Sequence, residues 1–242
     1  SYSPSEAVER LAELGYDGVE WRICADDGDV ENPSFWNGNR ATFQPDWPDA
    51  AFEEVAELTR EAGLQVPSLG TYLDRTDLES IERMMQVANI FDCPNIRVSS
   101  AWVGDDTPEY DLVLAETAGD LSKAIELGRK YGVSILLEIH HGTIVPSASA
   151  MRRLVEHFCP HDIGVIHDAG NMVHEGMENL KMGVQILGPY LQHVHVKNSW
   201  WQCEDAEEGP AEKTWNSEWA PLRKGVVDFK ELLAALKSVG YD

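Results

Sequence analysis

Three apolar, strand-like runs in the second half of the chain, over residues 134–140, 162–168 and 191–197, each end in polar side chains of metal-binding type. Side chains of an extended strand point to opposite faces in turn, so Leu136, Glu138 and His140 share one face while Ile135, Leu137 and Ile139 share the other. In the same way His193, His195 and Lys197 stand opposite Val194 and Val196, and Asp168 shares a side with Ile166 and Gly164. Each run has one apolar face and one that turns polar near its end.

Elsewhere the spacing is helical. Ala7, Val8, Leu11, Ala12 and Leu14 predict a helix that is capped by Ser3 or Ser5, carries Pro4 near its first turn and stops at Gly15. The pattern then predicts a strand over 17–23, a Trp-, Asn- and Pro-rich loop to Pro48, a helix over 49–62, a strand over 66–72 and a helix over 74–91. A strand over 95–101 and a long helix over 108–131 follow. Helices near 147–158 and 177–187 separate the three runs, and a loop over 198–227 precedes a last helix over 228–239.

Six strands alternating with helices imply parallel pairing with right-handed crossovers, in a (β/α)8 TIM barrel or a doubly wound sheet. An internal echo favours the barrel. The first helix leads through Leu14-Gly15-Tyr16-Asp17 into a strand, and the last leads through Val239-Gly240-Tyr241-Asp242 to the end of the sequence. A strand is expected there and another before the first helix, which makes residues 1–242 a single α/β barrel domain with its first and last strands missing from this chain.

Composition narrows the partners. The formal charge of −23, from 42 acids against 19 bases, opposes binding to nucleic acid, whose phosphates need clustered Lys and Arg. Cys24, Cys93, Cys159 and Cys203 are widely spaced, which implies reduced thiols in a cytoplasmic protein. No stretch approaches the ~20 apolar residues that a membrane helix needs. The sequence starts Ser1-Tyr2-Ser3-Pro4, without Met, as expected of a processed, trimmed or partial chain.

Glu138, Asp168 and an imidazole of the His193/His195 pair lie at the tips of three different strands, at the end where barrel enzymes keep their catalytic groups. Two carboxylates and an imidazole make a ligand set for a divalent cation, against the alternative of a buried polar network.

With the strand tips placed, the chain resembles the sugar phosphate isomerase/epimerase family of the xylose isomerase-like TIM barrel superfamily. The resemblance is carried by Gly15-Tyr-Asp-Gly-Val-Glu-Trp-Arg22, Leu136-Leu-Glu-Ile-His140, Asp168-Ala-Gly-Asn171, His193-Val-His-Val-Lys-Asn198, Trp219-Ala-Pro-Leu and Gly225-Val-Val-Asp-Phe229. It implies Glu138, Asp168 and His195 as ligands of one divalent ion, Mn, Mg, Co or Zn. It also implies a fourth ligand, a Glu on the last strand, expected a few residues beyond Asp242. Two departures stand out: Asn171 replaces a histidine that contacts substrate in many relatives, and Arg223-Lys224 replace a common Gly-Glu.

The resemblance implies a metal-dependent isomerase or epimerase of a small carbohydrate. The cation chelates adjacent oxygens and acidifies the C–H beside a carbonyl, with Glu138 shuttling the proton through an enediolate. His140, Asn171 and Lys197 are the expected contacts to substrate, Lys197 alternatively forming a rim salt bridge. Trp36 and Arg40, with Ser199-Trp200-Trp201, are expected at the mouth, where rings stack on sugar faces and Arg40 meets an anionic group. Such aromatics serve equally in loop packing or in a homo-oligomer interface. His193 reads as a hydrogen-bonded structural residue, and His141, His157, His161, His167 and His174 as structural or surface residues, His174 alternatively contacting substrate.

Two alternatives remain, and a third is opposed by the residues present. An inosose-type dehydratase would use the same site for elimination, and a barrel without its last ligand would bind a sugar or a partner rather than react. Abasic-site endonucleases of the same superfamily need further histidines on the earlier strands, where this chain has Leu69-Gly-Thr-Tyr72 and Ser99-Ser-Ala-Trp102.

Overall fold

A computed structural model describes residues 1–204 and 214–241. Its strands hydrogen-bond in the order β2 (Thr42–Phe43), β1 (Trp21–Ile23), β3 (Leu69–Asp74), β4 (Asn95–Ser99), β5 (Ser134–Glu138), β6 (Ile163–Asp168), β7 (Leu191–His195). The β1–β2, β1–β3, β3–β4 and β6–β7 pairs are parallel. After β1 and β2, neighbours in space are neighbours in sequence. Among the described residues no helix is long and apolar enough to cross a membrane.

The chain divides into two compact units, Ser1–Ser99 with Asp120–Leu136, and Ser100–Gly119 with Leu137–Asp242. In the first, α1 (Pro4–Glu13) starts at a capping box in which the Ser3 hydroxyl takes the Glu6 N–H and the Glu6 carboxylate takes the Ser3 N–H. α2 (Asp49–Glu61) and α3 (Leu78–Ile90) place Phe52, Ile81, Met84 and Met85 against the strands, all fully buried. Phe43 is the hinge of this core: its ring stacks on Phe91 at 6.4 Å and lies 5.0 Å from Trp21. The two-residue strand β2 that carries Phe43 interrupts the loop expected up to Pro48.

Helix α4 (Tyr110–Tyr131) precedes β5, and the second unit holds the end of β5, then α5 (Ala148–Val155), β6, α6 (Ala169–His174), α7 (Leu180–Leu187), β7 and α8 (Phe229–Ser238). Its helices pack through Val173, Val184, Leu232 and Leu236. Two differences from the expected pattern matter. The loop expected over 198–227 contains an antiparallel pair, β8 (Asn198–Glu204) and β9 (Thr214–Ala220), with Ser199 opposite Trp219 and Trp201 opposite Ser217. The strands expected to reach His140 and Lys197 end at Glu138 and His195. Residues 205–213, part of that expected loop, and Asp242 lie outside the described residues.

Candidate metal centre

Three consecutive strand ends of the second unit deliver the site. Glu138 closes β5, Asp168 closes β6 and His195 closes β7, and one ligand atom from each lies within 4.8 Å of the others. β6 is buried along its whole length and Asp168 is fully buried, because Ile163, Val165 and Ile166 sit in the core around it. The two carboxylates are thus fixed in a place that water scarcely reaches, where charge must be compensated.

The compensation is visible. Glu138 Oε1 accepts from His195 Nδ1 at 2.9 Å, from Lys197 Nζ at 3.0 Å and from Asn171 Nδ2 at 3.1 Å. Asp168 caps α6, its Oδ1 taking the Asn171 N–H at 2.9 Å, while its Oδ2 faces Lys197 Nζ at 2.7 Å. Burial pushes the Asp168 carboxyl up to about 6; the charge of Lys197 opposes that shift and the charge of Glu138 adds to it. Burial works against the Lys197 ammonium, yet Asp168 and Glu138 outweigh it and hold its pKa above the ordinary value.

Gly170 makes this arrangement sterically feasible. A Cβ there would lie 2.5 Å from Lys197 Cβ and 2.8 Å from its carbonyl carbon, so the backbone of α6 and the segment after β7 touch where only glycine fits. Asn198, fully enclosed behind it, takes the Val227 N–H at 2.9 Å and donates to Leu222 O at 2.9 Å, tying the following segment down.

The structure brings together Glu138, Asp168, His195, Lys197 and Asn171. Asn171 is completely buried, and its amide N–H groups go to Glu138 Oε1 and Ile139 O. His140 follows the strand; its Nδ1 lies 2.6 Å from His141 O, so that nitrogen carries the hydrogen, and its ring meets Trp102 edge-on at 5.2 Å. His193 stands beside His195 with ring centroids 5.4 Å apart. Trp36 and Arg40 belong to the first unit. There Trp36 packs on Phe35 and Tyr72 around the Arg22 guanidinium, and Arg40 pairs with Glu6 at 3.4 Å and bonds to Ser1.

A wall of rings beside the site escaped the sequence reading. His140, His141 and His174 stack in series at 4.3 and 4.4 Å, and Trp219 of β9 closes the row 4.5 Å from His174. Ser199 donates its only hydroxyl hydrogen to Gly170 O, so its oxygen must accept from His174 Nε2; His174 Nδ1 then accepts from Ser217. Burial, with His141 and His140 nearby, lowers the His174 pKa to about 4 and keeps it neutral in this role. Trp219 also lies 5.7 Å from Lys197 Nζ. The Trp219-Ala-Pro-Leu stretch was the available signal, but only the β8–β9 register shows what its ring faces.

Parallel strands that carry two carboxylates and an imidazole on successive C-terminal ends define an α/β protein of the TIM-barrel class with a candidate cation centre. The chain belongs to the family described as xylose isomerase-like TIM barrel, whose match covers residues 8–242. It is 26% identical over 143 residues to the inosose dehydratase of Geobacillus thermodenitrificans (strain NG80-2), a match over 55% of this chain and 45% of that protein, so under half of that relative's length is spanned. The fold is similar to the 3-keto-D-glucoside 4-epimerase YcjR of E. coli, with TM-score 0.68 and 17% identity over 100% of this chain and 85% of that one. It is also similar to the IOLI protein with a bound zinc atom, with TM-score 0.70 and 15% identity over 100% and 82% of the two chains.

The donor set fits a divalent ion. Two ionisable carboxylates supply hard oxygen ligands and His195 an imidazole nitrogen, a mixture that suits Mn, Mg, Co or Zn.

Proposed function

We propose that this chain uses Glu138, Asp168 and His195 to hold one divalent ion and moves a proton on the carbon beside the carbonyl of a small polyhydroxy ketone or aldose. The observation that carries this reading is the convergence of those three side chains within 4.8 Å at successive strand ends. When bound, the ion supplies positive charge to adjacent substrate oxygens and so stabilises the negative charge that grows when the C–H is broken.

The chain's own residues do the rest. Glu138 is the proton carrier: its Oε1 is fixed by Asn171, and a carboxylate held in one orientation meets the C–H without reorganising. Asp168 is immobilised as the cap of α6, which keeps its second oxygen turned toward the site. The row His140, His141, His174 and Trp219 offers flat faces for the C–H side of a sugar, with His140 and Lys197 as polar contacts.

Returning the proton on either face or to the neighbouring carbon gives epimerase or isomerase chemistry. Loss of a hydroxyl from the same carbanion gives a dehydratase, and the match to inosose dehydratase favours that second outcome. Incubating the Mn²⁺-loaded protein with ketoses and with cyclic keto-polyols in D₂O separates the two. Deuterium at the carbon beside the carbonyl is expected for wild type and is lost in Glu138→Gln, and only elimination changes substrate mass by one water. Exchange that survives in Glu138→Gln contradicts the reading.

A further inference from the structure

The Lys197 ammonium is held by the same two carboxylates that would ligate a divalent ion. Nζ lies 2.7 Å from Asp168 Oδ2 and 3.0 Å from Glu138 Oε1, and both carboxylate side chains are at most 2% exposed. Those carboxylates and the His195 imidazole form the candidate ligand cluster. One buried ammonium between two buried carboxylates already does part of what a divalent ion would do, since it allows both acids to remain charged close together. Two cations cannot sit between those carboxylates without strong mutual repulsion.

A second observation shows where the ammonium can go. Lys197 is the outermost member of the cluster, its side chain 32% exposed, and the ring of Trp219 lies 5.7 Å from Nζ, itself 46% exposed. An indole face is a favourable resting place for an ammonium. The segment below is fixed by the close approach of Gly170 to the Lys197 backbone, so only the flexible side chain needs to move.

We infer that Lys197 is an intramolecular counter-ion that exchanges with the metal: it holds Glu138 and Asp168 together when no divalent ion is present and retires onto Trp219 when one binds. This rests on the proposed metal centre. The exchange keeps two buried carboxylates from repelling each other in the metal-free protein, and it weakens metal affinity by the work of displacing the lysine. Trp219, in turn, favours metal binding by accepting the displaced ammonium.

The test is calorimetric titration of Mn²⁺ into the metal-free chain, with thermal melts before and after saturation. Lys197→Met and Lys197→Gln are expected to bind Mn²⁺ at least about tenfold more tightly than wild type. Without metal they should melt lower by roughly 5 °C or more and recover when Mn²⁺ is added. Trp219→Ala should bind Mn²⁺ more weakly, the opposite sign. If wild type binds Mn²⁺ and both lysine variants bind it equally or less well, the exchange is overturned and the metal centre stands. If neither wild type nor the variants bind Mn²⁺, both fall together.

Discussion

Asn171 donates its side-chain N–H to Glu138 Oε1 at 3.1 Å while its backbone N–H caps Asp168 Oδ1 at 2.9 Å, so one residue orients both carboxylates of the candidate centre. Partners of this kind fix how ligands are presented. Asn171→Ala leaves the side-chain half of that link unmade and the Ile139 carbonyl without its donor, at a cost of about 2 kcal/mol. The melting temperature should fall by about 4–8 °C. Metal affinity should fall by about 10–100-fold. Unchanged metal affinity, measured by titration, would show that Asn171 does not position the ligands.

Gly170→Ala tests whether the site depends on backbone proximity. The added Cβ meets the Lys197 Cβ and carbonyl carbon at 2.5 and 2.8 Å, and it is backbone, not a pliable side-chain end, that has to shift. The variant should fold with reduced stability, by about 1–3 kcal/mol, the usual cost of overpacking. Denaturant melts measure that loss, and a variant as stable as wild type would contradict the packing described.

His174 sets an acid limit on the docking of β8 and β9. Its pKa is lowered to about 4 by burial first, then by the neighbouring imidazoles of His141 and His140 and by Lys197, with only Glu175 opposing. In the unfolded chain the imidazole titrates near its ordinary 6.5, so between about pH 6.5 and 4 the unfolded state binds more protons than the folded one. Stability contributed at this position is therefore complete above about pH 6.5 and is lost as pH falls toward 4. Plotting melting temperature against pH should give a shallower acid slope for His174→Gln, and parallel slopes would rule out this residue as a source of the loss.

Thiol reactivity follows burial. Burial pushes the Cys93 thiol up to about 12, and Cys24 is raised for the same reason, whereas Cys159 and Cys203 are exposed. A thiol reagent at pH 8 should label Cys159 and Cys203 quickly, with Cys93 reacting only on unfolding. Rapid modification of all four cysteines in the folded protein would contradict the packing around Cys93.

The strands that carry Glu138, Asp168 and His195 were legible because a short apolar run with a polar tip is a local pattern, and so were the helices with strong caps such as Ser3 and Asp228. β2 was not, because Thr42-Phe43 is too short to show a period. The pair β8 and β9 was hidden for a different reason: its residues are mostly polar or exposed, and its pairing is set by partners 10 to 22 positions away. Face alternation also carried Lys197 and His140 past the real ends of their strands. Lys197 reaches the carboxylates through the close packing at Gly170, which no alternation rule reveals. The ring row ending in Trp219 depends on that same unseen register.

The central claim is that Glu138, Asp168 and His195 form one metal centre. The most direct measurement is bound metal per chain, by elemental analysis after equilibration with Mn²⁺ and removal of free ion, for wild type beside Glu138→Gln and His195→Ala. One ion per wild-type chain, with little or none in either variant, is the expected result. No bound ion in wild type, or an ion retained in both variants, would contradict the account.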